Sequence, residues 1–72
     1  MNEQWHDIST DLTEMYVLPG PTGRGVVSRP RNQISDFSAY IERDSRQQWA
    51  KRRFGDVEGA KDWCVRVLEE IA

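Results

Sequence analysis

Acid–base and nucleophilic catalysis both need particular side chains held close together. His6 is the single histidine, and Asp7 and Asp11 follow it closely, so an acid–base group could form near this end of the chain. Ser9 and Ser28 could act as nucleophiles only beside such a base. Nothing in the spacing brings these residues together, and we therefore predict that His6 is an exposed histidine near the terminus.

The stretch GPTGRG, residues 20–25, has the glycine content of a phosphate-binding loop. A P-loop closes with Gly-Lys and then Ser or Thr, and a helix follows it. A dinucleotide-binding loop also leads into a helix. Here a strand pattern follows instead, so the stretch predicts a flexible hairpin loop. A functional alternative is a mobile loop that presents Arg24.

Cysteine and histidine usage argues against a disulfide framework and against a zinc site. Cys64 is the only cysteine and His6 the only histidine, so no internal disulfide can form and no zinc-ligand spacing is present. A free thiol suits a reducing cytosol, which is the predicted location. Cys64 falls on the apolar stripe of a predicted helix, and we expect a small buried side chain rather than a reactive thiol.

The length of the chain limits the functions it can support. A domain of 72 residues has a thin core, and a preorganised active site needs rigid supporting shells that such a core supplies poorly. We therefore predict a protein that is not an enzyme and uses no cofactor or metal. No apolar run approaches the roughly 20 residues of a membrane helix, and no targeting leader is recognised. The prediction is a soluble monomer without a membrane partner.

Charge is distributed unevenly, although the net charge is only −2. Residues 1–23 contain acids but no Lys or Arg, and residues 54–72 are mainly acidic. Most cations lie between these two segments: Arg24, Arg29, Arg31, Arg43, Arg46, Lys51, Arg52 and Arg53. This bipolar pattern favours a protein partner with mixed charges of its own, because a nucleic-acid-binding domain is usually basic overall. An ordinary solvated surface is the alternative for Lys51–Arg53.

The tryptophans bear on the same choice. Trp49 and Trp63 are predicted to pack in the core, which leaves no exposed set of aromatic rings on which bases could stack. Trp5 lies in an acidic segment with little other apolar character. It is expected either to pack back on the domain or to anchor a partner, because tryptophan is frequent among the residues that dominate binding energy.

The C-terminal segment has the clearest periodicity. Asp56 is a favourable N-cap, and Glu58 follows in the first turn, where the helix dipole favours a negative charge. Apolar residues then recur three or four positions apart, at Val57, Ala60, Cys64, Val67 and Ile71, with Trp63 and Leu68 widening the stripe. This spacing predicts an amphipathic helix over about residues 57–71.

An antiparallel hairpin is predicted before this helix. In the stretch FSAYIERD, residues 37–44, the apolar residues Phe37, Ala39 and Ile41 share one face of a strand. The stretch QQWAKRRF, residues 47–54, follows a polar turn and provides the second strand.

The second strand has an irregular apolar spacing. Trp49 and Phe54 are five positions apart, so a bulge or bend near Arg53 would be needed to bring both into the core. A helix over residues 35–53, capped by Ser35, is the rival interpretation. The polar run ERDSRQQ offers no apolar residue to such a helix and favours the hairpin.

The N-terminal half gives weaker signals. Apolar runs at residues 14–18 and 25–29 flank the glycine-rich loop and predict a loose hairpin. Residues 1–13 are acidic, and we predict a mobile segment there, with residues 14–72 as one domain. The predicted fold is α+β, a small antiparallel sheet of two to four strands packed by one C-terminal helix.

The segment 37–72 runs from the strand AYIERD through a polar turn and QWAKRRF into the helix opening GDVEGAKDW. This pattern resembles that of small bacteriophage-encoded host-takeover proteins. Within that group, the chain resembles the regulators that bind host RNA polymerase, block promoter use and promote read-through of terminators. The resemblance implies a binding role in the cytoplasm of a bacterial host, and it assigns no residue roles.

We therefore expect the protein to bind a large host complex, with bacterial RNA polymerase as the first candidate, and to block initiation or suppress termination. A secondary contact with nucleic acid is expected through the arginines. The predicted contact residues, chosen by charge and exposure, are Trp5, His6, Arg24, Arg29, Arg31, Arg43, Arg46, Lys51 and Arg52. Two alternatives stay open: an anti-CRISPR-type inhibitor of another host complex, and a small protein that binds nucleic acid directly, with steep salt dependence.

Overall fold

The computed structural model describes residues 4–21, 23–31 and 36–70. Within these ranges, five strands form one antiparallel sheet and a single helix follows. The elements are β1 (His6–Asp7), β2 (Thr13–Pro19), β3 (Arg24–Pro30), β4 (Ser38–Arg43), β5 (Arg46–Trp49) and α1 (Val57–Glu70). Neighbouring strands in the sheet are also neighbours in sequence, so the sheet is a meander built from local connections.

The predicted α+β class is confirmed, but the predicted count of two to four strands is wrong because β1 adds a fifth. This strand has only two residues, His6 and Asp7, which pair with Val17 and Tyr16. Backbone hydrogen bonds from Ile8 and Thr10 continue the connection to β2. Two exposed polar residues show no alternation, so the sequence carries no strand signal at this position. Part of the segment predicted to be mobile is thus paired along one sheet edge.

Both predicted hairpins are present. Strands β2 and β3 pair from Thr13–Pro30 to Pro19–Arg24 on either side of the glycine-rich loop. Strands β4 and β5 are joined by Asp44 and Ser45, which both have positive φ, at 50° and 64°. A two-residue loop with positive φ at both positions is a type I′ turn, whose twist matches that of the flanking strands. The alternative of a helix over residues 35–53 is therefore wrong.

Helix α1 begins and packs as its sequence predicts. The backbone N–H of Gly59 donates to Asp56 Oδ1 at 2.7 Å, which confirms Asp56 as the N-cap. The helix ends at Glu70 among the described residues, and the predicted stripe member Ile71 lies outside them. The core joins one face of the sheet to the apolar stripe of the helix and contains Val27, Phe37, Ala39, Ile41, Phe54, Ala60, Cys64 and Val67.

The helix covers one face of the sheet, at β3 and β4. Gly25 lies directly beneath Cys64, since a Cβ built on Gly25 would stand 2.9 Å from the Cys64 Cβ. Side chains alternate between the faces of a strand, so Val26 and Tyr40 point to the face without the helix. The two faces are therefore chemically distinct, and only one of them is closed by α1.

The chain changes direction between Trp49 and Phe54. Strand β5 ends at Trp49, and Phe54 rejoins the sheet through an isolated bridge to Phe37. The predicted bend is present, and Phe54 is buried at 6% exposure. Trp49 is not in the core: it is 52% exposed, because regular alternation from its pairing with Tyr40 sends it to the open face.

Candidate interaction surface

The predicted contact residues do not form one cluster, because the sheet distributes them over both edges and both faces. Trp5 and His6 belong to the β1 edge, and Arg46, Lys51 and Arg52 belong to the β5 end of the sheet. Arg24 and Arg29 lie on β3 in the middle. The placement of each group decides whether its charge is available to a partner.

Trp5 packs on the domain. It is half-buried and contacts the core, and the Lys61 ammonium lies 5.4 Å from the centre of its ring. The same ammonium lies 4.6 Å from the ring centre of Tyr16, so Lys61 joins both rings by cation–π contacts. His6, by contrast, is exposed on β1. Of the two expectations for Trp5, packing describes its position.

Two of the predicted arginines are held in ion pairs. Arg24 Nη2 lies 2.5 Å from Glu42 Oε1, across the β3–β4 pairing. Arg29 Nε donates to Glu14 Oε1 at 3.0 Å, and its guanidinium lies 4.4 Å from the centre of the Phe37 ring. Their charges are largely satisfied within the protein, so either arginine would have to give up or share its partner to contact another molecule.

Glu14 connects this ion pair to a tyrosine. The Tyr16 hydroxyl donates to Glu14 Oε2 at 2.6 Å. This hydrogen bond, with the Arg29 guanidinium, holds the pKa of Glu14 below its usual range despite an opposing effect of burial. The same hydrogen bond raises the pKa of Tyr16. The group is a structural clamp between β2 and β3, and its tyrosine stays protonated at neutral pH.

Arg43 and Arg46 are directly opposite each other in the β4–β5 hairpin. Like charges at such a position are destabilising. Arg43 is half-buried, and within the described residues its Nε and Nη2 atoms are shielded from solvent without a hydrogen-bond partner. Its side chain passes over Gly23, where a Cβ would come within 2.7 Å of Arg43 Cγ. The hairpin therefore keeps two cations together at a cost in stability.

Most of the exposed cations without an ion pair among the described residues lie on β5 and in the segment that follows it. We define the basic edge as Arg46, Lys51, Arg52 and Arg53, all of them exposed. In residues 4–21, 23–31 and 36–70, ion pairs involve Arg24, Arg29 and Arg66 but none of these four. The Arg52 guanidinium rests 5.2 Å from the centre of the Phe54 ring. Arg31 is exposed as well but lies outside the basic edge: it follows β3 and its backbone N–H donates to Leu12.

An aromatic pair lies next to the basic edge. The prediction that Trp49 packs in the core is wrong, whereas Trp63 is partly buried against the core as predicted. Tyr40 and Trp49 are cross-strand partners with ring centres 4.4 Å apart and planes inclined by 35°. They end a row of side chains that crosses the open face through His6, Val17 and Val26. The five-residue spacing from Trp49 to Phe54 was the signal that could have placed Trp49 on this face.

A groove of about 540 Å³ runs between the end of β5 and helix α1. Its lining combines two indole rings with three cations and one carboxylate. The residues that line it are Gln48, Trp49, Ala50, Lys51, Arg52, Trp63, Arg66, Val67 and Glu70. Arg66 also pairs with Asp62, at 2.6 Å. We call this feature the edge groove, and it joins the basic edge to the exposed tryptophan.

Three other kinds of site would each need a particular arrangement among the described residues: a metal centre, a serine nucleophile and a membrane-spanning helix. No three His, Cys, Asp or Glu side chains converge there as metal ligands would. Ser9 hydrogen-bonds to the backbone of Met15, and its own backbone N–H donates to Asp7 Oδ1. Hydrogen bonding by the Ser9 side chain, and then by its backbone N–H, lowers the pKa of Asp7. No described helix has both the length and the apolar character that a membrane crossing requires.

Cys64 is fully buried between the helix and the sheet, as predicted. Burial raises the pKa of its thiol to about 12. At pH 8 the reactive thiolate is therefore on the order of a thousandfold scarcer than in an ordinary cysteine, whose pKa is about 8.5. We expect a disulfide reagent such as dithionitrobenzoate to label the native protein very slowly and the denatured protein at once. Native labelling at the rate of a free cysteine would contradict this burial.

No protein-family model, no curated protein and no solved structure matches this chain. The function has to be inferred from its own residues.

Proposed function

We propose that this protein is a non-enzymatic, phage-type regulator that binds bacterial RNA polymerase in the host cytoplasm and modulates transcription, by blocking initiation or suppressing termination. One observation carries the proposal: the basic edge is exposed and takes no part in ion pairs within the described residues. The resemblance of residues 37–72 to phage host-takeover proteins supplies the class of partner.

The charge pattern supports docking on a large partner rather than a random distribution of solvated charges. The exposed side of α1 carries Glu58, Asp62, Glu69 and Glu70, while the basic edge lies at the end of the sheet. A surface divided in this way orients a small protein as it approaches a partner with mixed charges. Charged residues on edge strands also protect against aggregation. Lys51 and Arg52 lie beyond the end of β5, so this protective role does not explain their charges.

The hairpin between β4 and β5 adds a second support. Arg43 and Arg46 face each other across the strands, and the turn between them has two non-glycine residues with positive φ. Both features reduce stability. An acidic surface on a partner would relieve the repulsion between the two arginines, so the hairpin is suited to an anionic patch.

Capture of RNA polymerase from a bacterial lysate tests the proposal. The tagged protein is incubated with lysate treated with nuclease, so that nucleic acid cannot bridge the two proteins, and bound subunits are identified. We expect polymerase subunits to be retained, and the purified protein to alter transcription by purified polymerase. The double variant Arg46→Gln/Arg52→Gln should bind polymerase about tenfold more weakly, because it removes half of the basic edge.

The matched control is Arg24→Gln/Arg31→Gln, which changes the net charge equally but leaves the basic edge intact. We expect this control to bind polymerase like the unaltered protein. Equal weakening by both double variants would refute the assigned surface. Retention of CRISPR effector subunits, with no polymerase, would replace this proposal with the anti-CRISPR alternative.

A further inference from the structure

We propose that the edge groove is a binding site for single-stranded nucleic acid, in which Trp49 stacks on a base and the cations of the groove hold the phosphates. This inference does not depend on the binding of polymerase. It starts from the exposed Trp49 and its contact with the half-buried Tyr40, which the polymerase proposal does not use.

The position of Trp49 is unusual for a residue of its type. Trp49 stands half-exposed at the end of β5, at 52%, and its ring rests on that of Tyr40 at 4.4 Å. The contact with Tyr40 stabilises one position of the indole relative to other rotamers. A rigid ring with an exposed surface can accept a flat partner at little cost in conformational entropy.

Charge decides which flat partner fits. Lys51 and Arg52 line the same groove as Trp49, together with Arg66, which is paired with Asp62, and with the carboxylate of Glu70. Lys51 and Arg52 form no ion pair within the described residues. An apolar peptide would leave these cations without partners, whereas a nucleotide supplies both a ring for the indole and a phosphate for the cations. Sites for single strands combine these two features, stacking rings and a positive groove.

Double-stranded DNA fits this surface less well. Readout of a major groove uses a helix or a two-stranded ribbon that carries base-contacting side chains. Here the one described helix exposes mainly acids, and the aromatic rings would have no unpaired base to stack on. Stacking needs bases that are already unstacked, as in a single strand. The edge groove, of about 540 Å³, has the size of an ordinary small-ligand site and would accept one or two nucleotides.

The test measures binding of the isolated protein to labelled 12-mers of uridine and of thymidine by fluorescence anisotropy, with a 12-base-pair duplex for comparison. This length falls within the roughly 4–16 nucleotides that a small single-strand-binding domain covers. We expect both single strands to bind at low salt and to quench tryptophan fluorescence. Trp49→Ala should weaken binding by about 5- to 150-fold, the effect of losing one stacked base. Trp49→Phe keeps a ring and should recover most of that loss. A preference for uridine would assign RNA and a preference for thymidine DNA.

Two charge variants separate the groove from general attraction. Lys51→Gln/Arg52→Gln should reduce the slope of log affinity against log salt by about 0.7 for each phosphate that the two side chains no longer neutralise. Arg31→Gln, which does not line the edge groove, should leave the slope unchanged. Thermal unfolding of each variant verifies that the fold is intact.

Three results would overturn the inference: no binding of either single strand at low salt, equal binding of Trp49→Ala, or tighter binding of the duplex than of both single strands. Binding of polymerase with no binding of single strands would retain the proposed function and remove this site. Binding of single strands without polymerase would do the reverse.

Discussion

Replacement of Ile41 by alanine is expected to lower the free energy of unfolding by about 2–5 kcal/mol. Ile41 is 1% exposed and is among the largest fully buried side chains. It lies on β4 beneath the helix, where its Cδ1 is near the position that a Cβ on Gly25 would take. The missing methyl groups leave a cavity between two rigid elements, and neither the sheet nor the helix can collapse into it without breaking other contacts.

The size of this effect matters because the protein is small. A domain of this length has a total stability on the order of 4–10 kcal/mol, so Ile41→Ala is expected to remove about half of it. Urea unfolding followed by circular dichroism measures the change. The control is Leu12→Ala, at a side chain that is 72% exposed, which should stay within about 0.5 kcal/mol of the unaltered protein. A decrease below about 1 kcal/mol for Ile41→Ala would contradict the assigned core.

Replacement of Gly25 by alanine is the second large effect expected. No glycine among the described residues has positive φ, so backbone strain is not the reason for glycine at this position. Space is the reason: a Cβ on Gly25 would stand 2.9 Å from Cys64 Cβ and 3.3 Å from its Sγ. The helix and sheet would have to separate, which costs about 1–3 kcal/mol in a well-packed core.

Gly55→Ala is the matched control for this substitution. A Cβ on Gly55 would meet no atom within 4 Å, and its φ is not positive. Alanine there restricts the unfolded chain and should stabilise the protein by about 0.4–1 kcal/mol. The two substitutions are chemically identical, so effects of opposite sign on the urea midpoint would isolate the contact with Cys64. Equal effects would show that the helix does not approach β3 as closely as described.

The Glu14–Tyr16 pair and the Cys64 thiol show that residue type alone does not identify a catalytic group. Tyr16, Glu14 and Cys64 are all groups that catalysis can use. In the structure, Glu14 and Tyr16 hold each other through a hydrogen bond, and Cys64 is shielded between helix and sheet. The Glu14–Tyr16 hydrogen bond shifts the pKa values of both residues, and burial shifts that of Cys64. Such shifts also occur in groups whose role is structural.

Elements with local signals could be predicted. The helix from Val57 follows from its own apolar spacing and from the Asp56 cap. The buried face of β4 follows from the alternation of Phe37, Ala39 and Ile41. These properties depend on residues only a few positions apart, because the periods of 3.6 and 2 are fixed by backbone geometry.

The candidate surface could be predicted only in part. Charge and residue type identified Arg46, Lys51 and Arg52 as possible contacts, and these three remain exposed. The same criteria selected Arg24 and Arg29, which form ion pairs with Glu42 and Glu14. In each pair the acid lies on a different strand, so the partner depends on how the strands are aligned with one another.

Taken alone, the sequence determined the fold class, the single helix, the two hairpins and the burial of Cys64. Only the tertiary structure decided which face of the sheet the helix covers, that β1 adds an edge strand and that the basic edge meets an exposed ring. The physical reason is that strand register and the position of the helix arise from contacts between distant residues. Those contacts, and no local pattern, select the face that is covered and the face that remains available to a partner.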